Sequence, residues 1–187
     1  TCIKERHDLM NNLIKWQRPQ RRLMPKNLAS WLTGTGSLTR RLQQHNQYGF
    51  SVELLGNSWI KPLVDECLQL KLSLNELSYQ REVRLLDGDE ANVYARTIIP
   101  RTTYLAMQHR FNNLGNKSLG EVLFTDPTVQ RGPIEIACLK PGQWLYEMAI
   151  LDEPYRPDEL WGRRSHFYLQ GKVMLVNEIF LPKLEWR

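Results

Sequence analysis

Cysteine is scarce in this chain. Only Cys2, Cys67 and Cys138 occur in 187 residues, an odd number with no CxxC pair and no Cys/His spacing. That excludes a disulfide framework and a zinc module, and it suits free thiols in a reducing compartment. Long apolar runs are missing too: none approaches the roughly 18 to 20 residues that a membrane helix needs. The opening stretch TCIKERHDLMNNLIKW lacks the apolar core and small-residue cleavage site of a signal peptide, so the expected location is the cytoplasm, without stable membrane insertion. There is no phosphate loop, dinucleotide fingerprint, GxSxG or HExxH. The four histidines, His7, His45, His109 and His166, are scattered and match no Asp or Cys pattern, which argues against a metal centre or a Ser/His triad.

What is present is the composition of an ordinary globular protein, 42% hydrophobic and 24% charged, with no repeat or linker to divide it. The expectation is one domain over 1–187, long enough for a substantial core. The net charge is +5 and the pI about 9.2. Part of the excess sits early, at Lys4, Arg6, Lys15, Arg18, Arg21 and Arg22, interleaved with Leu13, Ile14 and Trp16. Such a stretch is a solvated face, a nucleic-acid footprint or an attractor for a small dianionic substrate.

Helical spacing of Leu9, Leu13 and Trp16 predicts a helix over about 5–17. A second, carrying Leu28, Trp31 and Leu32, follows Pro25 and stops at Gly34-Thr35-Gly36. Ser37 reads as the N-cap of a third, LTRRLQQ. From Tyr48 the rhythm changes to strands. QYGFSVELL is the first; SYQREVRLL and NVYARTIIP flank Asp87-Gly88-Asp89-Glu90, a hairpin signal. Thr102 or Thr103 is expected to cap a helix to about Asn113, and Ser118-Leu119-Gly120-Glu121 matches a capping box opening a short helix, Leu119 to Phe124. TVQRGPIEIACL is a further strand, bulged at Gly132-Pro133. RRSHFYLQ and KVMLVNEIFLP form a second hairpin across Gln170-Gly171. Together these give an α+β domain on an antiparallel sheet.

Two charged residues break the strand pattern. Residues two apart share a strand face, so Arg81 lies with Tyr79, Val83 and Leu85, and Glu178 with Met174, Val176 and Phe180. Charged side chains are rarely buried unpaired. Either these strands are edges whose charges face water, or the two groups neutralise each other, or they await a charged ligand. Helix N-termini favour anions, and the two serine-capped starts, Ser37-Leu38 and Ser118-Leu119, are ordinary caps or extra donors for a carboxylate held by the Arg81 fork. Arg163 and Arg164 add two guanidinium groups at a strand entrance, or simply a solvated strand end.

In these stretches the chain resembles the chorismate pyruvate-lyases of bacterial ubiquinone biosynthesis: WLTGTGSLTRRLQQ, REVRLL followed by ARTIIP, LGNKSLGEVLFTDPTVQRGPIEI, and LWGRRSHFYLQGKVMLVNEIFLP. They run in order from Trp31 to Pro182. The resemblance implies an antiparallel sheet with flanking helices enclosing a buried ligand cavity, no metal and no organic cofactor. It implies conversion of chorismate to 4-hydroxybenzoate and pyruvate. The expected protein is a monomer, and one that binds no nucleic acid, since the basic residues are dispersed and no aromatic-rich strand motif of the RNA-recognition type appears. By this resemblance Arg81 holds the ring carboxylate, assisted by the backbone at Leu38 and Leu119, and Glu178 sits at the ring hydroxyl. Arg81 and Glu178 are then the catalytic residues, and an apolar surround would favour the protonated form of Glu178. Two departures stand out: Leu38 where the family often has methionine, and a longer segment over 137–159 that reads as an elaborated surface loop. The alternative from another class is a small-molecule sensor of the same fold, like the ligand-binding modules of GntR-type regulators. Such modules follow a winged helix, for which the roughly 45 residues before the first strand are too few.

Overall fold

Two hairpins build the centre of the sheet. β2 (Ser78–Asp87) turns into β3 (Glu90–Pro100) across Gly88, whose φ of +59° suits glycine. β6 (Leu160–Leu169) turns into β7 (Lys172–Phe180) through Gln170 and Gly171, both at positive φ (51° and 73°), as a two-residue turn of the primed type requires. With β1 (Phe50–Ile60), β4 (Gln130–Arg131) and β5 (Glu135–Leu139), they form one sheet in the order β1-β2-β3-β7-β6-β4, with β5 also pairing β6. Every pairing is antiparallel. The computed structural model describes residues 13–124 and 126–182.

Helices cover both faces. On one lie α1 (Ala29–Thr33), α2 (Leu38–His45), α4 (Arg101–Ala106), α5 (Gln108–Asn112) and α6 (Leu119–Phe124); on the other lie α3 (Val64–Leu70) and α7 (Trp144–Ala149). The first face carries two separate apolar clusters. One joins Trp31, Leu32 and Leu42 to Val83, Leu85, Val93 and Phe180. The other joins Phe111, Leu114 and Leu119 to Ile99, Phe167, Met174 and Val176. Between them β3 contributes only Ala95 and Thr97, residues too small to fill the gap.

Several expectations need correction. Residues 13–17 are not helical: Gln17 exchanges both backbone bonds with Ile136, at 3.0 and 2.8 Å, and so extends the edge beside β5. The remainder of that expected helix falls outside the described residues. The first strand starts at Phe50 and runs on to Ile60 past a register shift between Leu54 and Gly56. The helix expected to Asn113 is two helices, α4 and α5, and no threonine caps it; the Thr103 hydroxyl donates instead to Val173 O at 2.8 Å. The 137–159 segment is a surface loop only in its later part, over 151–159. It carries most of β5 and then α7, which buries Leu145, Tyr146 and Ala149 against Tyr94, Leu139 and Ile179. Helix α3 falls in a stretch with no element expected from the sequence. It buries Glu66 while Leu68 is exposed, so its apolar spacing misleads.

Candidate active site

β2 and β7 are interior strands, so neither Arg81 nor Glu178 faces water from a sheet edge. Both point to the face with the unfilled gap. There a cavity of about 50 Å³, counted for the centre of a water-sized sphere, is lined by Leu38, Arg81, Val83, Ala95, Leu119 and Glu178, among others. That exceeds the roughly 10–15 Å³ one water needs. All four residues singled out from the sequence therefore meet at one cavity. By register, Arg81 lies opposite Thr97 and Glu178 opposite Ala95. Two strand spacings and a two-residue offset put their Cα atoms about 12 Å apart, with the small side chains of β3 as floor between them.

The two helix starts converge because α2 and α6 pack closely. Ser37 Oγ accepts from Arg40 N at 3.2 Å and Ser118 Oγ from Glu121 N at 3.1 Å, the N-cap pattern read from the sequence. The Thr39 hydroxyl then donates to Ser118 Oγ at 2.9 Å, joining one cap to the other helix. Gly120 makes the approach possible, since a Cβ there would lie 2.7 Å from Thr39 Oγ1.

Arg81 is 4% exposed, and its Nη2 donates to Gly115 O at 2.8 Å and Lys117 O at 2.9 Å. No carboxylate among the described residues lies within ion-pair reach of it. Burial pulls its pKa below the ordinary arginine value, with only Tyr79 opposing. Glu178 is held differently. Its Oε2 accepts from Arg163 Nε at 2.6 Å and lies 3.6 Å from Arg131 Nη2. The surround of Glu178 is thus ionic, which overturns the expected apolar one. Arg163 Nη1 donates to Trp31 O and Gly34 O, both at 2.8 Å, tying the Gly34-Thr35-Gly36 turn to the sheet. Arg164, one residue on, points to the opposite face and pairs with Asp65 and Glu135. Neither arginine is a solvated strand end; they are 2% and 3% exposed.

The two faces differ sharply in charge balance. On the far face each buried arginine has two carboxylates: Arg84 with Glu53 and Asp152, Arg96 with Glu66 and Glu82, Arg164 with Asp65 and Glu135. On the cavity face Arg131 and Arg163 share one, Glu178, and Arg81 has none among the described residues. Uncompensated buried charge is costly, so an added anion would be electrostatically favoured on this face. Arg131 was missed in the sequence. It sits beside the Gly132 interruption, where alternation fails as a guide. Among the described residues no group of His, Cys, Asp and Glu could hold a metal ion, and no helix is long and apolar enough to cross a membrane.

A family model described as chorismate lyase matches residues 9–187. The chain belongs to the chorismate lyase family. A probable chorismate pyruvate-lyase of Aromatoleum aromaticum is 39% identical over 170 residues, 90% of this chain and 91% of that one. Another, from Methylobacillus flagellatus, is 38% identical over 154 residues, 82% and 86% of the two chains. Among solved structures, the effector domain of PhnF from Mycobacterium smegmatis superposes with a TM-score of 0.59 at 13% identity, covering 80% of this chain and 90% of that chain. The C-terminal domain of a histidine utilization repressor from Pseudomonas syringae gives 0.55 at 8% identity, covering 74% and 97%. These two likenesses show that the family shares its fold with regulator domains; at such identity they carry nothing about ligands.

Proposed function

We propose that the protein is a chorismate pyruvate-lyase, converting chorismate to 4-hydroxybenzoate and pyruvate at the cavity between Arg81 and Glu178 as the entry step of ubiquinone biosynthesis. One observation carries this reading in a chain of this family: a buried guanidinium without a carboxylate partner faces the cavity's glutamate across a small, largely apolar floor. Arg81 is the receptor for the ring carboxylate, its planar fork matched to two oxygens. The backbone N–H groups at Leu38 and Leu119 add donors to it. Glu178 takes the ring-hydroxyl end.

The chemistry needs little machinery. The C–O bond from the ring to the enolpyruvyl ether breaks, a ring proton leaves, and the enolpyruvate gains a proton to become pyruvate. No electrons are exchanged with a cofactor. Aromatisation supplies much of the driving force, so the protein orients a dianion, excludes water and handles one proton. Glu178 is the one carboxylate lining the cavity among the described residues, and we assign it the proton. Arg163 orients that carboxylate at 2.6 Å. The protein acts as a cytoplasmic monomer without nucleic acid in this reading. The deciding experiment is incubation of the purified protein with chorismate, following pyruvate and 4-hydroxybenzoate together. Equimolar appearance of both supports the reading. A folded protein that binds 4-hydroxybenzoate yet releases neither product is the sensor, and the lyase reading falls.

A further inference from the structure

Resting on that reading, we propose that Arg131 receives the second carboxylate of the substrate, the one on the enolpyruvyl side chain, at the Glu178 end of the cavity. Charge arithmetic points there first. Arg81, Arg131 and Arg163 outnumber Glu178 by two charges at the cavity, before the half-buried Arg41 beside Arg163 is counted. A substrate with two carboxylates brings −2. The product 4-hydroxybenzoate carries one carboxylate, so a second anion receptor would have nothing to hold once pyruvate has left.

Geometry then separates Arg131 from the other two. Arg81 is at the far end, on β2. Arg163 already grips Glu178 through Nε at 2.6 Å and holds Trp31 O and Gly34 O through Nη1. Although its Nη2, like that of Arg131, makes no hydrogen bond among the described residues, its charge is committed to the cavity's own carboxylate. Arg131 spends Nε on Ser165 Oγ at 3.0 Å and Nη1 on Gly34 O and Thr35 O at 3.2 and 3.4 Å. Its Nη2 has no hydrogen bond among the described residues; its nearest anion is Glu178 Oε2 at 3.6 Å, beyond bonding distance. The guanidinium also lies 5.2 Å from the centroid of Phe167, a ring that lines the cavity. A guanidinium fixed on two of its nitrogens, with the third held only by a loose 3.6 Å ion pair to Glu178, is preorganised for a further anion. Burial, and the nearby Arg163 charge, push its pKa down to about 10 against the pull of Glu178, so an added anion is electrostatically welcome.

The test compares substrate with product in the same variants. For wild type, Arg131→Gln and Arg131→Lys, kcat/KM for chorismate is measured beside the calorimetric Kd for 4-hydroxybenzoate. Arg131→Gln should lower kcat/KM about 10- to 100-fold, the range of one hydrogen bond to a charged group, and shift the product Kd by less than about two-fold. Arg131→Lys keeps the cation and should recover part of the loss. Parallel losses for substrate and product, or an unchanged kcat/KM, would overturn the proposal. Should Arg131→Gln fail to fold, the lysine variant carries the same comparison. Wild-type protein inert towards chorismate would instead sink the lyase reading, and this subsite with it.

Discussion

Arg163 on β6 and Glu178 on β7 are direct cross-strand partners, and their side chains meet at 2.6 Å on the cavity face. The carboxylate thus arrives at the cavity already aimed, from a guanidinium that is itself fastened to the turn before α2. Removing the charge at position 178 therefore tests the chemistry and the aiming group together. In single-turnover experiments Glu178→Gln should lose about 10²-fold or more in rate, the usual scale of general acid–base catalysis, while 4-hydroxybenzoate still binds through Arg81. A wild-type rate in that variant would make Glu178 a binding residue only.

Arg81 should behave as a fork and not merely as a charge. Arg81→Lys keeps the cation but gives up the planar two-point geometry. It should weaken 4-hydroxybenzoate binding by about 1.5–3 kcal/mol, read by titration calorimetry. Equal affinities would move the ring carboxylate to another guanidinium.

Gly120 lets the two capped helices touch. Gly120→Ala brings a Cβ to 2.7 Å from Thr39 Oγ1, a short, β-branched group bonded to Ser118. The clash should cost about 1–3 kcal/mol in urea unfolding and loosen product binding. Adding Thr39→Ala should restore part of the stability. If the double variant is no more stable than Gly120→Ala, the contact is not what limits the spacing.

Cys138 should be a poor nucleophile at neutral pH. Burial raises its pKa, helped by the hydrogen bond to Glu159 Oε2 at 3.3 Å, to about 11. Only the thiolate reacts, so its alkylation at pH 8 should be slow by peptide mapping and should speed up only as pH approaches that value. Glu159→Gln removes the nearby negative charge, lowers the thiol pKa and should accelerate labelling at pH 8. No acceleration would point to steric shielding as the cause.

Period-two reading found the face of Arg81 and Glu178 because both strands are regular and interior. The serine N-caps were equally legible, since their signal is local: a serine and the N–H three residues on. The reciprocal half of the expected capping box is not formed, as the Glu121 carboxylate accepts from Gln43 Nε2 at 3.1 Å instead. What escaped is long-range or irregular. Arg163 reaches Trp31 O across 132 positions, so the ionic surround of Glu178 is written in tertiary contacts. Helix α7 has six residues and no side-chain cap; its buried Leu145, Tyr146 and Ala149 carried the only helical spacing, hidden among prolines and acidic residues. The N-terminal segment erred the other way. Helical spacing at Leu13 and Trp16 lost to pairing between Gln17 and Ile136.

Along β2 the signs alternate by face: Arg81 looks into the cavity, while Glu82 accepts from Tyr94 and Arg96 on the other side. Moving this strand one residue against β3 would swap the two. Glu82 would then enter an anion site, and Arg81 would join an arginine cluster already matched to its own acids. The second outcome buries like charges together and takes Glu82 from Arg96, so misaligned hairpins of this sequence are penalised as they form. The residues that await a ligand are thereby also proofreaders of strand alignment, acting before any ligand is present.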